Sequence, residues 1–106
     1  MNYEIQLTAK AEDDLRSIYK YIAVNLQSAG TASALLDRLE LAIDSLAQMP
    51  ERFKVYGSEP WRSRNLRIMP IENYLVFYIP DNKTATVTVI RVMYGARDVD
   101  IQLMKL

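Results

Sequence analysis

Asn73-Tyr74-Leu75-Val76-Phe77-Tyr78-Ile79, followed by Thr86-Val87-Thr88-Val89-Ile90-Arg91-Val92-Met93, is the stretch whose reading decides the fold. Both runs are almost unbroken β-formers. Pro80-Asp81-Asn82-Lys83 between them supplies turn chemistry, because Pro presets φ and Asp or Asn tolerates the tight positions that follow. The pair reads as a β-hairpin. Residues 74–79 are apolar on both sides, the pattern of a central strand covered on both faces, or covered on one face and aromatic on the other. The second strand runs into Tyr94-Gly95-Ala96-Arg97-Asp98, which puts Arg91, Tyr94 and Arg97 at the exit of a buried strand. On strict alternation Ile90, Val92 and Tyr94 share a face. The Tyr94 ring then rests on the sheet with its hydroxyl at the edge, beside a Gly95 that lets the chain turn sharply.

Upstream of the hairpin, residues 64–69 alternate as a further strand, with Leu66 and Ile68 on one face and Asn65, Arg67 and Met69 on the other. Pro70-Ile71-Glu72-Asn73 turns it into the hairpin. Residues 51–63 are irregular and contain Gly57, Pro60 and the isolated Trp61, which reads as a lid over a core edge. The N-terminal half is helical in pattern. Residues 3–7 alternate as a half-buried strand, and Thr8 then caps a helix whose first turns carry Glu12, Asp13 and Asp14 at the positive end of its dipole. Ala11, Leu15, Ile18, Ile22 and Leu26 form its apolar stripe. Gln27-Ser28-Ala29-Gly30 breaks this helix, and Thr31 is the expected cap of a second, with Ala32, Leu35, Leu36, Leu39, Ile43 and Leu46 on its stripe and Pro50 marking its end. So short a loop between two helices implies an antiparallel helix hairpin.

The expected fold is α+β: an antiparallel sheet with an N-terminal helix hairpin packed on one face. The order is β-α-α-β-β-β, with a short C-terminal helix or tail over 98–106, all in one domain spanning 1–106. With 106 residues, half of them hydrophobic, the chain can bury one core without disulfides or metal. It contains no cysteine and no histidine. That excludes thiol nucleophiles, thiolate or imidazole metal ligands and histidine general bases, so any proton transfer falls to Glu, Asp, Lys, Arg or Tyr. No cofactor and no metal site are expected. The first residues have no basic start followed by an apolar run, and no stretch approaches membrane-spanning length, so neither a signal peptide nor a membrane contact is expected and the expected location is cytoplasmic.

The formal net charge of zero hides a polarity. Residues 1–49 carry four basic against seven acidic residues, whereas residues 50–106 carry nine basic against six acidic. Arg52, Lys54, Arg62, Arg64 and Arg67 cluster around Glu59, a local field that suits phosphate or an acidic partner peptide, or else a solvated loop. Arg91 lies inside an apolar strand, where it is either on the open face or neutralised by a buried acid. Arg97 and Asp98 are a candidate local ion pair fixing the tail.

Taken in order, the early strand leading to Ala11-Glu12-Asp13-Asp14-Leu15-Arg16-Ser17-Ile18-Tyr19-Lys20-Tyr21-Ile22, the helix closing on Leu46-Ala47-Gln48-Met49-Pro50, then Arg64-Asn65-Leu66-Arg67-Ile68, Tyr74-Leu75-Val76-Phe77-Tyr78 and Arg91-Val92-Met93-Tyr94-Gly95-Ala96-Arg97-Asp98 make a chain that resembles the RelE/ParE family of small bacterial toxins over nearly its whole length. The resemblance implies the toxin of a type II toxin-antitoxin module, an addiction module in which a cognate antitoxin wraps the toxin with an otherwise disordered segment. It assigns no residues to antitoxin binding.

The family implies two kinds of action. RelE-like members are ribosome-dependent endoribonucleases that cleave mRNA, whereas ParE-like members inhibit DNA gyrase by binding it. Ribosome-directed nucleases of the family often carry Arg in the place of Tyr74 and many relatives carry His in the place of Tyr94, and they tend to be strongly basic. This chain has tyrosine at both positions and is neutral. Its Gly95-Ala96-Arg97-Asp98 ending also looks more ParE-like, so gyrase inhibition is the preferred expectation and the endoribonuclease the alternative. A further alternative is a non-toxic regulatory partner that only binds antitoxin. Arg64, Arg67 and Arg91 are the expected target-binding residues. In the nuclease alternative, Arg64, Arg67, Arg91, Tyr94 and Arg97 are the catalytic candidates, converging on one sheet surface to hold a phosphate.

Overall fold

The computed structural model of the chain describes residues 2–95 together with Val99 and Leu103. Strand β1 (Glu4–Leu7) leads into helix α1 (Ala9–Lys20), and after a reversal helix α2 (Ala29–Asp44) follows. Strands β2 (Arg67–Ile71), β3 (Tyr74–Asp81) and β4 (Thr86–Tyr94) complete a sheet of order β1-β4-β3-β2. The α+β architecture with its helix hairpin is the one expected. One pairing differs: β3 pairs antiparallel with both β2 and β4, but β1 runs parallel to β4. Residue alternation says which face a side chain takes and nothing about strand direction. Direction is set here by the two-helix crossover and the long connection before β2, the kind of link a parallel pair requires.

Thr8 caps α1 as expected, its Oγ1 accepting from the Ala11 amide at 3.1 Å. The helix then widens into a π turn at Tyr21–Asn25. The wider turn rotates later residues off the stripe that Ala11 and Ile22 bury, so Leu26 is exposed where regular spacing would have buried it. Gln27 takes a left-handed backbone and reverses the chain, and α2 starts already at Ala29, with Ser28 and not Thr31 at its cap position. Gly30 is therefore inside the helix. Beyond α2 a short 3-10 turn (Ser45–Ala47) runs on, and the Arg52 guanidinium collects the carbonyls of Ser45, Gln48 and Met49. A cation here complements the negative end of the helix dipole.

The sheet is covered on both faces. On one side Val76, Tyr78, Val87, Val89 and Val92 pack against Ala11, Ile43 and Leu46 of the helical layer. Ile22, Ala32, Leu35 and Leu39 fill the space between the helices and extend that core toward Tyr74. On the other side Leu66, Phe77, Met93 and Leu103 form a separate core, with Tyr56 and Trp61 of the irregular segment over it. Trp61 is thus the lid its sequence setting suggested. Strand β2 continues through Pro70 and Ile71, so the turn into β3 is only Glu72 and Asn73, with Glu72 left-handed.

A β-bulge interrupts the β3–β4 ladder. Phe77 pairs with Arg91 but Tyr78 pairs with Val89, which leaves Ile90 as the extra residue. Val89 and Val92 consequently face the helices together, while Ile90 packs in the opposite core. Ile90 and Tyr94 do not share a face, contrary to strict alternation. Val99 and Leu103 are helical, and the rest of the expected C-terminal element lies outside the described residues.

Candidate functional site

Strand β4 outruns its neighbour. Its pairing with β1 ends at Leu7 opposite Val89, and beyond that point its outer edge would carry unpaired backbone groups. Helix α1 satisfies them with side chains. Thr8 Oγ1 donates to the Ile90 carbonyl at 2.9 Å, and the Asp14 carboxylate accepts from the Val92 amide at 2.9 Å. The same carboxylate holds Arg91 in a two-pronged pair, Nε to Oδ2 at 2.7 Å and Nη2 to Oδ1 at 2.9 Å. Arg91 is 5% exposed, and the hydrogen bond it donates to Asp14 raises its pKa further, so its charge is permanent. Of the two situations open to Arg91, the structure has the buried acid. Asp14 is the residue that the sequence reading missed. It was visible only as one of three acids in the first turns of a helix, and its partner lies 77 residues away.

The other candidates occupy separate places. Arg67 projects to the helical side opposite Tyr78, donates to the carbonyls of Glu51 and Phe53 at 2.9 and 2.7 Å, and lies near the Glu51 carboxylate. Arg64 is exposed on the irregular segment, its guanidinium 5.2 Å from the centre of the Trp61 ring, on the side of the opposite core. Tyr94 stands at the end of β4, 47% exposed, edge to face with Tyr74 at 5.7 Å. Arg64, Arg67 and Arg91 therefore do not converge on one surface. Arg97, and with it the expected pair with Asp98, lies outside the described residues.

Two hollows remain. One is a shallow cleft at the end of the sheet, lined by Glu72, Asn73, Tyr74, Leu75, Tyr94 and Gly95. Burial, with smaller contributions from Tyr94 and Glu72, pushes the Tyr74 hydroxyl above the ordinary tyrosine range, so it is a neutral donor at physiological pH. The other is an open groove of about 680 Å³ between α1 and α2. Leu15, Tyr19, Leu36 and Ile43 make it apolar, and Arg16 and Glu40 are among the charged side chains along it. Among the described residues no cluster of three or more carboxylates is placed to hold a metal ion, and no helix is long and apolar enough to cross a membrane.

The sequence matches the ParE toxin of the type II toxin-antitoxin system ParDE over residues 5–99. The chain belongs to that family and is the toxin of a type II toxin-antitoxin system. Its fold is similar to the chromosomal ParDE system of P. aeruginosa, with a TM-score of 0.70 at 20% identity over 87% of this chain and 95% of that one. It is also similar to the RelBE2 toxin-antitoxin complex of Mycobacterium tuberculosis, with a TM-score of 0.63 at 22% identity over 89% and 99%. The isolated E. coli RelE toxin gives 0.62 at 18% identity over 97% and 96%. No curated protein sequence matches the chain significantly.

Proposed function

We propose that this toxin acts by binding DNA gyrase, as ParE does, and not by cleaving RNA. The observation that carries the reading is the dispersal of the cationic candidates. Cleaving RNA through its 2′-hydroxyl requires groups that stabilise charge on the scissile phosphate beside a proton donor. Here Arg91 is held inside the protein by Asp14, Arg67 is turned to loop carbonyls, and Arg64 stands over Trp61 on another side of the molecule. Tyr94 has Tyr74 as its neighbour. A binding poison needs only a complementary surface, and Arg64 is the arginine of the proposed target set that such a surface can present.

A cognate antitoxin completes the proposal. The groove between α1 and α2 suits the apolar stripe of an amphipathic segment that is disordered when free, and coupled folding over such a groove supports affinity on the order of submicromolar or tighter. The similarity to ParDE and RelBE complexes supports the same partnership. Action on gyrase places the protein in the cytoplasm.

The test is to add purified protein to a gyrase supercoiling reaction and, in parallel, to a translating extract whose mRNA is mapped by primer extension. Supercoiling should be inhibited with the message intact. Codon-positioned cuts with gyrase unaffected would replace this reading by the endoribonuclease. Neither activity, together with normal growth of a host that accumulates the protein without antitoxin, would leave a regulatory partner that only binds antitoxin.

A further inference from the structure

The groove between α1 and α2 has a polarity along its length. Its floor is apolar, with Leu15, Tyr19 and Leu36 half-buried and Ile43 buried, and its charges stand on the exposed rims. The helices are antiparallel: Ala11 shares a core with Ile43 and Leu46 at one end, and Ile22 shares one with Ala32 and Leu35 at the other. Glu12 on α1 is therefore level with Asp44 on α2, and Glu40 follows one turn along, whereas Lys20 stands at the far end beside Leu36. Arg16, in the middle, is already paired with Asp13. Glu12, Lys20, Glu40 and Asp44 have no ion-pair partner among the described residues. Two of these carboxylates are also badly placed for the free toxin. Glu40 and Asp44 are like charges four residues apart in the last turn of α2, at the negative end of its dipole, where lysine or arginine is favoured. Arg52 answers the carbonyls beyond that end but neither carboxylate.

We infer that the antitoxin enters this groove as an amphipathic helix running parallel to α1, with lysines or arginines on its first turn over Glu12, Glu40 and Asp44 and a carboxylate near its end over Lys20. The inference rests on the antitoxin reading above and adds the direction and the charge of the segment. An apolar floor between two helices takes the apolar stripe of a third, and α1 rises about 12 Å between Glu12 and Lys20, room for about two turns. The positive end of the incoming helix dipole then meets the three carboxylates, and its negative end meets Lys20. The opposite direction would set dipole against charge at both ends. Cations at its start and anions at its end also oppose the segment's own dipole, which weakens the helix in isolation until the rims of the groove offset them.

The purified antitoxin of the module is the probe, titrated calorimetrically at low salt against the toxin and its variants. Glu40→Lys should weaken binding roughly tenfold, and Lys20→Glu by somewhat less. Both losses should shrink in high salt, because the rims are exposed. Glu40→Lys should nevertheless melt no lower than the unmodified toxin, since it removes a like-charge pair and suits the dipole, whereas a purely structural residue would lose binding and stability together. Leu36→Ala, on the floor, should also weaken binding. If it does so while Glu40→Lys binds equally or more tightly, the groove belongs to the antitoxin and the inferred charge pattern is overturned. If Leu36→Ala leaves antitoxin binding unchanged, the antitoxin sits elsewhere and the groove reading falls together with the inference; a change only in the toxin's self-association would give the groove to a second copy. Direction is read separately. The chain has no cysteine, so a spin label on Lys20→Cys is unique, and it should broaden the NMR signals at the C-terminal end of the bound antitoxin segment. Broadening at the N-terminal end would overturn the direction.

Discussion

Arg91 and Tyr94 lie three positions apart on one strand, and the strand treats them in opposite ways. The arginine is buried to 5% and the tyrosine is 47% exposed. Residue type alone would reverse the two, since arginine is among the residues least often buried. The difference follows from the edge of β4. Where β1 ends, backbone groups need partners, and a carboxylate arriving from α1 that takes the Val92 amide has a second lone-pair set to fill. Arg91 fills it. At Tyr94 the ladder to Tyr74 is finishing, and among the described residues no element closes over the ring, which is left 47% exposed. A cation on a toxin's sheet is thus not by itself a contact for the target.

The hardest way to break this contrast is to remove Asp14. Asp14→Ala leaves Arg91 charged and without its partner in a nearly closed site, and should cost about 3–5 kcal/mol of unfolding free energy. Arg91→Ala should cost less, because the carboxylate keeps the Val92 amide. The double variant should be less damaging than the two single costs added together, since the pair acts as a unit. Urea denaturation of the three proteins measures all of this. If Arg91→Ala stays within about 0.5 kcal/mol of the parent and yet loses toxicity, Arg91 is a target contact and the contrast fails.

A second tyrosine sharpens the comparison from the buried side. Tyr78 is fully buried, donates to the Pro50 carbonyl at 2.6 Å, and burial pushes its hydroxyl up to about 12. An unfolded tyrosine loses its proton near pH 10. Between those two values the unfolded chain is deprotonated while the folded one is not, so stability is full below the unfolded value and falls as pH rises toward the folded one. The loss should be about 2–3 kcal/mol. Equilibrium unfolding between about pH 9 and 12 should reveal it. Tyr78→Phe should flatten that limb, whereas Tyr94→Phe should leave it as it is.

These sites also mark where the sequence was legible. Element order followed from periodicity because each strand and helix carries its own local pattern, and Thr8 was readable as a cap because its partner, Ala11, is three residues on. The Asp14–Arg91 pair joins a helix to a strand across most of the chain, and no spacing rule connects them. The π turn and the bulge each shift the phase of a pattern by one residue, which misplaced Leu26 and Ile90 without disturbing the elements around them. The convergence expected of Arg64, Arg67 and Arg91 failed for the same reason. Strand neighbours in sequence were readable, but the side each guanidinium takes depends on carbonyls and carboxylates that only the fold brings near.

The open end of the contrast predicts small effects on stability. Tyr94→Ala removes an edge-to-face pair and some partly buried ring surface, and should cost at most about 1.5 kcal/mol. Chemical denaturation provides the check. A loss as large as that of Asp14→Ala would make Tyr94 a structural residue.

The smallest effect belongs to Arg38 and Glu72, which flank the same open end. Both side chains are exposed, so their pair is screened by water and salt and should add almost nothing at neutral pH. Its signature is in the acid limb. The hydrogen bond from Arg38 holds the Glu72 carboxyl below the ordinary glutamate range, so its contribution is present above the unfolded value and disappears as pH falls through the folded one. Melting temperature against pH, in low and in high salt, should show Glu72→Gln matching the parent near neutrality and losing slightly less on acidification, with the difference erased by salt. A difference that persists in high salt would mean that the pair is shielded from solvent.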